Sequence, residues 1–357
     1  MIRLRIITNQ MQALILAGGK GIRLRPLTVY TPKPVVPVLN RPFLLYQIDV
    51  LKLAGITDIT LSLNYQPDKI EDILGDGSRY GVKLTYLTEP QPLGTAGAYR
   101  FAADLIDKPT VVLNGDILTN LKIEEMAKLH REKNAEATIF LTRVENPEAY
   151  GLVETGEDGR VERFLEKPKA DDIAKLKTSN INAGIYILEP GVLELIPKGE
   201  NHSFEYGVFP ELLKQGKAFF AYTDPEVYWK DIGTPRSYLQ AHADLLAGKI
   251  DGYPVEKADN KDHLKNDVSI DETSVIGNDC MIKSGVKIVN SVIGQGVHLE
   301  EKAMVKNSVI WSHSRIGNST TITGAFIGRG CQIGNNAVVG ENSILGDKTV
   351  LAHYTQV

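Results

Sequence analysis

The chain has 357 residues, of which 43% are hydrophobic and 24% charged, and its formal charge is -4. These ordinary globular values exclude a disordered or fibrous protein, and the mild acidity excludes a basic surface for nucleic acid or anionic lipid. No apolar run approaches the roughly 18 residues that cross a bilayer, so we expect neither nucleic-acid nor membrane partners.

The cysteines and the N-terminal segment favour a cytoplasmic protein. Cys280 and Cys331 show no CxxC spacing, and two lone thiols in a chain of this size are typical of a reducing compartment. Residues 1–10 contain arginines but lack the apolar segment and cleavage site of a signal peptide. Because a strand pattern opens at Met11, we expect residues 1–10 to be an N-terminal extension that contributes little to the fold.

From Met11 to about Lys249, short apolar runs alternate with helical patterns. The alternation predicts an α/β domain over residues 11–250, with a Rossmann-like mixed, mostly parallel sheet and helices on both faces. Ligands of such sheets bind at the carboxyl ends of the strands. In chain order we predict a strand at 13–16, a helix with Leu44, Leu45, Ile48 and Leu51 on one face, a strand at 59–63, a helix at 67–74, a strand at 83–87, a helix at 95–105, a strand at 110–113, a helix at 122–132 and a strand at 137–144.

Residues 251–266 are polar, charged and poor in apolar periodicity, which predicts a linker. From 267 to 357, aliphatic residues recur in steps of six, with occasional steps of five, and glycine often follows them. This period fits neither an amphipathic helix nor a plain strand, and it is typical of a parallel β-helix in which each rung forms one side of a triangular coil. We therefore predict a β-helix domain of about four or five coils with the aliphatic residues inside. They are Ile270, Ile276, Ile282, Ile288, Ile293, Leu299, Val305, Ile310, Ile316, Ile322, Ile327, Ile333, Val339 and Leu345.

A glycine-rich loop with basic residues follows the first predicted strand. Gly18, Gly19 and Gly21 let the backbone approach a ligand, and consecutive N–H groups in such a loop form an anion-binding nest. Arg23, Arg25 and Lys33 add cationic groups, which favours a triphosphate ligand over the alternative of a tight strand–helix turn. The loop is not a Walker A motif, since no Ser or Thr follows its GK pair, and it lacks the spacing of a GxGxxG motif.

Four motifs follow one another along the chain: AGGKGIRLRPLT followed by KPVVPVLNRP, NGD at 114–116, FLEKP at 164–168 and WKDIG at 229–233. Together they resemble the motifs of a known family, the sugar-1-phosphate nucleotidyltransferases or nucleotide-sugar pyrophosphorylases. Several branches of that family append a left-handed β-helix, so the resemblance covers the whole chain. It departs at Ile22, where the family usually has a threonine that contacts the triphosphate.

The resemblance implies a reaction in which a sugar-1-phosphate oxygen attacks the α-phosphorus of an NTP and pyrophosphate leaves. The attacking group is already an anion, so the chemistry needs fixed cations and Mg²⁺ rather than a general base. The resemblance places Mg²⁺ on Asp116 and Asp231, Arg23 and Lys33 on the triphosphate, and Lys167 on the sugar phosphate. The implied nucleotide-binding residues are Leu16, Gly18, Gly19, Gly21, Arg23, Gly94 and Thr95, and the implied sugar-phosphate residues are Gly151, Glu166, Lys167 and Asn182. The segment 89–96, EPQPLGTA, resembles the family's loop that meets the nucleobase.

Taken singly, four of these residues have simpler interpretations. Asp116 could form a turn, and Lys167 could be a solvated surface lysine. Asp231 could cap a helix that begins near Pro235, and Asn182 could be a polar residue of an edge strand. Together, the charged residues occupy the places where phosphoryl transfer needs charge, which favours the catalytic interpretation.

The motifs, with NINAGIYIL at 180–188, are most similar to those of mannose-1-phosphate guanylyltransferases with a β-helix tail. This resemblance predicts GTP and mannose-1-phosphate as substrates, and glucose-1-phosphate thymidylyl- or uridylyltransferases are the alternatives. Two other classes stay open: an acyltransferase that uses His298 or His313 of the repeats, and a non-catalytic regulatory subunit. The exposed ends and faces of a β-helix also predict a homo-oligomer assembled through the repeats.

Overall fold

The computed structural model describes most of the chain. The N-terminal extension, apart from Thr8 and Gln10, and the predicted linker beyond residue 253 lie outside the described residues. Thr8 itself is buried, and its hydroxyl donates to the Ala54 carbonyl. The described residues are Thr8, 10–144, 146–169, 178–253 and 267–357.

Contacts divide the chain into two compact units. The sheet unit comprises Met1–Gly19 and Gln47–Trp229, and the repeat unit comprises Lys20–Tyr46 and Lys230–Val357. Two stretches from within the first 250 residues thus belong with the repeats. The domain bounds proposed from the sequence stay a prediction.

The sheet unit is built on a nine-stranded mixed sheet. Its central strand, Gln12–Leu16, is an almost continuous apolar run, as expected for a strand covered on both faces, and it pairs in parallel with Asp58–Leu63 and Thr110–Asn114. Asn180–Leu188 is antiparallel to Thr110–Asn114 and to Ala137–Arg143. The predicted Rossmann-like mixed sheet is confirmed. In order across the sheet lie Val161–Glu166, Gly151–Thr155, Asn180–Leu188, Thr110–Asn114, Gln12–Leu16, Asp58–Leu63 and Lys83–Thr88, and Ala137–Arg143 and Phe219–Thr223 complete it.

Helices occur between strands where the periodicity predicts them, and one is shorter than predicted. The helix predicted at 95–105 ends at Phe101, and a separate 3₁₀ turn, Ala103–Leu105, follows it. The Ala102 N–H is shared between the carbonyls three and four residues earlier, each at 3.2 Å, which tightens the last turn. Across the described ranges, no helix is both long and apolar enough to cross a bilayer. The α-helices of the described residues are Leu44–Leu53, Pro67–Leu74, Gly94–Phe101, Ile123–Glu132, Phe209–Lys214 and Pro235–Leu246.

An aromatic cluster fills part of the core of the sheet unit. The Tyr186 ring lies 5.4 Å from Phe204 and 5.1 Å from Phe209 between centroids, and Phe209 stacks on Phe219 at 5.2 Å. All four side chains are buried. Aromatic pairs of this geometry contribute about 0.5–1.5 kcal/mol beyond the burial of their area. The cluster therefore holds the π-helical turn Phe204–Val208 on a packed base.

The repeats form fifteen short parallel strands in three five-stranded sheets, and so five coils of the predicted left-handed β-helix. The length of a coil is seen where the Ser308 N–H donates to Ser291 Oγ, 17 residues earlier. The predicted inward residues are buried from Ile276 to Val339 and partly exposed at the two end positions. The strands are Ser269–Ile270, Val275–Ile276, Met281–Ile282, Lys287–Val289, Val292–Ile293, His298–Leu299, Met304–Lys306, Val309–Ile310, Arg315–Ile316, Thr321–Thr323, Phe326–Ile327, Gln332–Ile333, Val338–Val339, Ile344–Leu345 and Val350–Leu351.

One outer face of the β-helix is apolar because a helix covers it. Val292, Val309 and Phe326 each precede an inward isoleucine and so point outward, yet each is at most 3% exposed. The helix Pro235–Leu246 packs on this face, with the Tyr238 ring stacked on Phe326 at 4.9 Å. The outward apolar row is a sequence signal of a covered face, which the six-residue period alone does not reveal.

The segment Lys20–Tyr46 is hydrogen-bonded to the repeats and to this helix. Asn40 Nδ2 donates to the Ile293 carbonyl at 2.9 Å, and the Tyr238 hydroxyl donates to the Pro37 carbonyl. The two short antiparallel strands of this segment are Pro37–Val38 and Arg41–Pro42. The basic residues predicted to bind a triphosphate therefore lie in the repeat unit.

Candidate functional site

The predicted site residues belong to both units. The sheet unit carries the predicted sugar-phosphate residues and one predicted metal ligand, and the repeat unit carries two predicted triphosphate cations and the other metal ligand. In the sheet unit are Leu16, Gly18, Gly19, Gly94, Thr95, Asp116, Gly151, Glu166, Lys167 and Asn182, and in the repeat unit are Gly21, Arg23, Lys33 and Asp231.

Asp116 lies in the turn at the carboxyl end of the strand Thr110–Asn114. That end is level with the end of the first strand, because Leu16 pairs with Asn114. The Gly115 N–H donates to the Leu16 carbonyl at 2.9 Å, and a Cβ at position 115 would lie 2.7 Å from that oxygen, so glycine is required. Asp116 is thus fixed beside the start of the glycine-rich loop, at the sheet edge where ligands bind.

Gln47 fixes the Asp116 turn, and no motif reveals it. Its side chain is 1% exposed, and Nε2 donates to the carbonyls of Asn114 at 2.8 Å and Ile117 at 3.0 Å. In the sequence, Gln47 is a long polar residue beside the apolar face of the helix Leu44–Leu53, and this pattern is the signal that indicates its role. Its two bonds hold the backbone on both sides of the predicted metal ligand.

The oxygens around this turn suit a hard cation. Among the described residues, Asn114 Oδ1 and Gln47 Oε1 are buried without a hydrogen-bond partner, and Asp116 adds a carboxylate. Mg²⁺ prefers oxygen ligands and is usually held by one or two carboxylates, with substrate phosphates in its shell. In those same ranges, no three His, Cys, Asp or Glu side chains are grouped as a metal cluster.

Gly18 and Gly19 differ in what surrounds them. No described atom lies within 4 Å of a Cβ built on Gly19, whereas one built on Gly18 would lie 3.4 Å from Glu89 Oε1. Glu89 is 6% exposed, and its carboxylate accepts from the Ser62 hydroxyl at 2.8 Å and the Leu93 N–H at 3.0 Å. Glu89 directly follows the parallel strand Lys83–Thr88 and is the first residue of the predicted nucleobase loop.

The predicted nucleobase loop is fixed by contacts within the protein. Gly94 has φ +73°, and a Cβ there would lie 2.5 Å from the His202 carbonyl oxygen, so the fold itself requires glycine. The Thr95 hydroxyl donates to Glu205 Oε2 at 2.9 Å and accepts from the Phe204 N–H at 3.0 Å. Because the hydroxyl proton is engaged, a donor contact from Thr95 to a phosphate would have to come from its backbone.

Glu166 and Gly151 face each other across two antiparallel strands. A Cβ on Gly151 would lie 2.6 Å from Glu166 Oε2, so glycine leaves room for the carboxyl group. Burial, and then the charge of Glu205, raise the pKa of Glu166 to about 7 against the opposing charge of Lys167. The exposed Lys167 has φ +45°, and its N–H donates to the Tyr150 carbonyl at 3.2 Å.

Asn182 lies on an interior strand of the sheet. Its strand, Asn180–Leu188, has neighbours on both sides, so the alternative interpretation of Asn182 as an edge-strand residue is wrong. The side chain is 9% exposed, its Nδ2 donates to the Tyr186 hydroxyl at 2.9 Å, and its Oδ1 accepts from the Gly184 N–H at 2.9 Å. Both ends of the amide are thus oriented by the protein.

In the repeat unit, Arg23 and Asp231 converge on Gly233. A Cβ built there would lie 2.6 Å from Arg23 Nη2 and 2.7 Å from Asp231 Oδ2, so a side chain at this position would displace both groups. The Gly233 N–H also donates to Asp231 Oδ2 at 3.2 Å. The helix that follows is capped by Thr234 in a capping box with Ser237, so the alternative of Asp231 as the helix cap is wrong.

Gly21 and Lys33 pack against each other at the base of the same loop. Gly21 has φ +62°, and a Cβ there would lie 2.9 Å from Lys33 Cβ. The Thr28 hydroxyl donates to the Gly21 carbonyl at 2.7 Å, which closes the loop on itself. Of the two predicted triphosphate cations, Arg23 is exposed and Lys33 is 9% exposed.

Comparisons of sequence and structure identify relatives over most of the chain. The model of the nucleotidyl transferase family matches residues 12–248, and the model of the EIF2B subunit epsilon LbH domain matches residues 257–357. Mannose-1-phosphate guanylyltransferase 1 of Arabidopsis thaliana is 38% identical over 329 residues, 86% of this chain and 88% of that protein. The mannose-1-phosphate guanylyltransferase of Mycobacterium tuberculosis is 36% identical over 308 residues, 84% of each chain. A crystal structure of a Bacillus anthracis protein assigned as a glucose-1-phosphate thymidylyltransferase, in complex with sucrose, has a TM-score of 0.60 at 27% identity and covers 69% of this chain and 98% of that one.

Proposed function

The chain belongs to the nucleotidyl transferase family, and from that premise we propose that it transfers the nucleotidyl group of GTP to mannose-1-phosphate, forming GDP-mannose and pyrophosphate. The observation that carries this substrate pair is the set of relatives named for it, at 34–38% identity over 84–89% of this chain. Glucose-1-phosphate with dTTP or UTP is the second candidate, because the structural relative is assigned as a glucose-1-phosphate thymidylyltransferase.

Glu89 supports guanine as the nucleobase. A carboxylate accepts hydrogen bonds, and guanine presents two adjacent donors on one edge, its N1–H and its exocyclic amine. Thymine and uracil present a single N–H between two carbonyl oxygens, which a carboxylate repels. Glu89 borders Gly18, and its oxygens have lone pairs beyond the bonds from Ser62 and Leu93.

The cations of the site offset the repulsion between two polyanionic substrates. Arg23 and Lys33 neutralise the triphosphate and the departing pyrophosphate, and Lys167 holds the sugar phosphate as a point charge. The sugar-phosphate oxygen attacks the α-phosphorus in line, and the bond from the α-phosphorus to the bridging oxygen breaks as pyrophosphate leaves. Because the nucleophile is an anion, no side chain has to remove a proton.

Asp116 and Asp231 are the proposed carboxylate ligands of Mg²⁺, and each is half-buried in its own unit. When bound, Mg²⁺ supplies positive charge at the phosphoryl oxygens as a Lewis acid. The unpartnered oxygens of Asn114 and Gln47 beside Asp116 suit such an ion.

A homo-oligomer assembled through the repeats is also proposed. Met304 and Val338 lie on strands of the same repeat sheet and are each 40% exposed. Contact with a second copy would remove this apolar surface from water. A monodisperse monomer in light scattering at micromolar concentration would contradict the proposal. The buried free thiols Cys280 and Cys331 support a cytoplasmic location.

The substrate assignment is tested with GTP, ATP, dTTP and UTP against mannose-1-phosphate and glucose-1-phosphate, with pyrophosphate release as the readout. We expect the highest kcat/KM for GTP with mannose-1-phosphate. Glu89→Gln should reduce the preference for GTP over UTP by roughly 10- to 100-fold, because it removes an acceptor for the guanine edge. A higher kcat/KM for dTTP or UTP with glucose-1-phosphate would overturn the assignment, and no pyrophosphate release from any pair would favour a regulatory subunit.

A further inference from the structure

One corner of each coil follows a strand of the sheet that the helix Pro235–Leu246 covers. In the first, second and fourth coils this corner is a glycine, and a Cβ built on it would lie 2.5 or 2.6 Å from a backbone nitrogen of the next coil. Glycine permits this close approach. Trp311 takes the position in the third coil, where its side chain is 2% exposed. The corner glycines are Gly277, Gly294 and Gly328, and the equivalent residue of the fifth coil is Gly346.

At the fifth coil, a proline of the segment Lys20–Tyr46 takes the place of a following coil. A Cβ built on Gly346 would lie 3.0 Å from Pro26 Cβ and 3.4 Å from Pro26 Cγ. At the other corner glycines, the nearest atoms belong to the next coil. Pro26 therefore lies where the backbone of a sixth coil would lie, and it caps this corner of the solenoid. A terminal repeat needs a cap because it has a neighbouring repeat on one side only.

The same segment is also held at the second coil. Asn40 Nδ2 donates to the Ile293 carbonyl at 2.9 Å, and Ile293 directly precedes the corner glycine of that coil. Pro26 and Asn40 are thus held at two coils of one solenoid, and Lys33 lies between them in the sequence. The coils therefore provide the base on which the basic segment is built.

Consecutive turns connect Pro26 to Arg23 and to the glycine-rich loop. The Leu24 N–H donates to the Gly21 carbonyl at 3.0 Å, and the Leu27 N–H donates to the Leu24 carbonyl at 3.1 Å. The side chains of Leu24 and Leu27 are fully buried on either side of Pro26. Because close-packed interiors transmit strain, a displacement of Pro26 is passed to Arg23, three residues earlier, rather than absorbed between them.

We propose that Gly346 is a positioning residue for the nucleotide: it sets the place of Pro26 and, through Pro26, the place of the Arg23 guanidinium. This rests on the proposed function, because it takes Arg23 as a cation that binds the triphosphate. An arginine recognises phosphate oxygens with a planar fork of donors, so its geometry matters as well as its charge. A methyl group at Gly346 would move Pro26 by a few tenths of an ångström. The last coil of the repeats thereby controls how well the site holds the NTP.

The test compares Gly346→Ala with Gly340→Ala, a matched substitution in the same coil. Neither glycine has a positive φ, so alanine strains neither backbone. A Cβ on Gly340 would lie 3.3 Å from a Val357 oxygen, so the control meets the repeats and not the basic segment. Since a misplacement of about 1 Å can cost roughly 100-fold, Gly346→Ala should lower kcat/KM for the NTP about 3- to 10-fold. KM for the sugar-1-phosphate at saturating NTP should stay at the wild-type value, and Gly340→Ala should match the wild type in both.

Hydrogen exchange of the free protein adds a readout that a general loss of stability would not reproduce. In Gly346→Ala, the N–H groups of Leu24 and Leu27 should exchange faster, because the turns that they close are displaced. The Val309 N–H, which donates to the Ala325 carbonyl at 3.0 Å within the coils, should exchange as in the wild type. Gly346→Val, which adds two further methyl groups, should enlarge both the exchange effect and the kinetic effect.

Three outcomes separate this proposal from the proposed function. If the wild type is active and a folded Gly346→Val variant keeps its kcat/KM for the NTP, or loses as much for the sugar-1-phosphate, the proposal is overturned alone. If the wild type turns over no substrate pair, the proposed function falls, and the calorimetric Kd of GTP replaces kcat/KM with the same expected change. A wild type that binds no GTP would overturn both.

Discussion

The two units differ in whether their stabilising contacts recur along the chain. In the repeat unit one contact recurs: the Ser308 N–H donates to Ser291 Oγ, and one coil later the Ala325 N–H donates to Ser308 Oγ. In the sheet unit, contacts such as that between Thr95 and Glu205 join residues 110 apart and have no equivalent one repeat away. Stacked coils share their stability among nearest neighbours, whereas a unique contact has no substitute when it is lost.

The repeat unit is nevertheless more than a structural appendage. It includes Arg23, Lys33 and Asp231, three of the charged residues that the resemblance assigns to the reaction. The segment that carries the first two is bonded to the coils through Asn40. Some contacts therefore recur from coil to coil and others occur once. The predicted site residues of both units depend on contacts that occur once.

The largest expected effect follows from removing a predicted metal ligand in each unit. Asp116→Ala and Asp231→Ala should each lower kcat by roughly 100-fold or more, because the developing charge loses a fixed counter-charge. Both side chains are only half-buried, so the Tm should change by no more than about 2 °C. Asp107→Ala, at an exposed position, is the control. Near-normal pyrophosphate release at limiting Mg²⁺ would remove that aspartate from the metal site.

A substitution inside the coils should produce the reverse pattern. Ile310→Ala in the middle coil should lower the free energy of unfolding by about 2–5 kcal/mol, because it leaves a cavity in the packed interior. Activity well below the Tm should be nearly that of the wild type. Denaturant unfolding and pyrophosphate release measure the two effects, and Lys306→Ala, on the exposed surface of the coils, is the control. If Ile310→Ala lost as much activity as Asp116→Ala, the distinction between recurring and unique contacts would be contradicted.

Each unit contains a buried neutral histidine, which predicts acid sensitivity in both. Burial lowers the pKa of His130 to about 4 and that of His242 to about 3, from 6.5. The unfolded chain binds these protons first, so the stability is complete above pH 6.5 and declines as the pH falls towards the folded-state values. His130→Gln should make this decline shallower by up to about 1.4 kcal/mol per pH unit. Urea unfolding between pH 4 and 7 measures it, and a slope identical to that of the wild type would show that His130 does not contribute.

The smallest expected effect concerns the bond between the loop segment and the coils. Asn40→Gly removes the donor to the Ile293 carbonyl, and it should lower the unfolding free energy by about 0.5–1.5 kcal/mol. KM for the NTP should rise a few-fold, because Arg23 and Lys33 lie on the loosened segment. Asn342→Gly is the matched control, since both asparagines have positive φ, 64° and 68°. An equal change in KM for both variants would attribute it to glycine flexibility.

Short-range periodicity was enough to predict the architecture of both units. The helix at 67–74 is found with those bounds, and the inward aliphatic residues from Ile276 to Val339 are buried as predicted. Burial of one face imposes a repeat of 3.6 residues on a helix and of six on a β-helix coil, so each segment carries the information by itself. The C-terminal end of the helix predicted at 95–105 was wrong. A 3₁₀ turn after Phe101 spaces its apolar residues almost as an α-helix does, so the pattern does not show where the helix ends.

The order of amino acids thus specified the fold class, the interior of the coils and the places of the motifs, whereas the supports of the candidate site depended on the folded chain. Gln47 reaches Asn114 across 67 residues, and Glu205 reaches Thr95 across 110. Asn182 is an interior residue because its strand has neighbours on both sides, a fact of sheet order that no local pattern contains. A hydrogen bond between distant segments depends on which strands become neighbours, and that choice is made by the packing of the whole sheet.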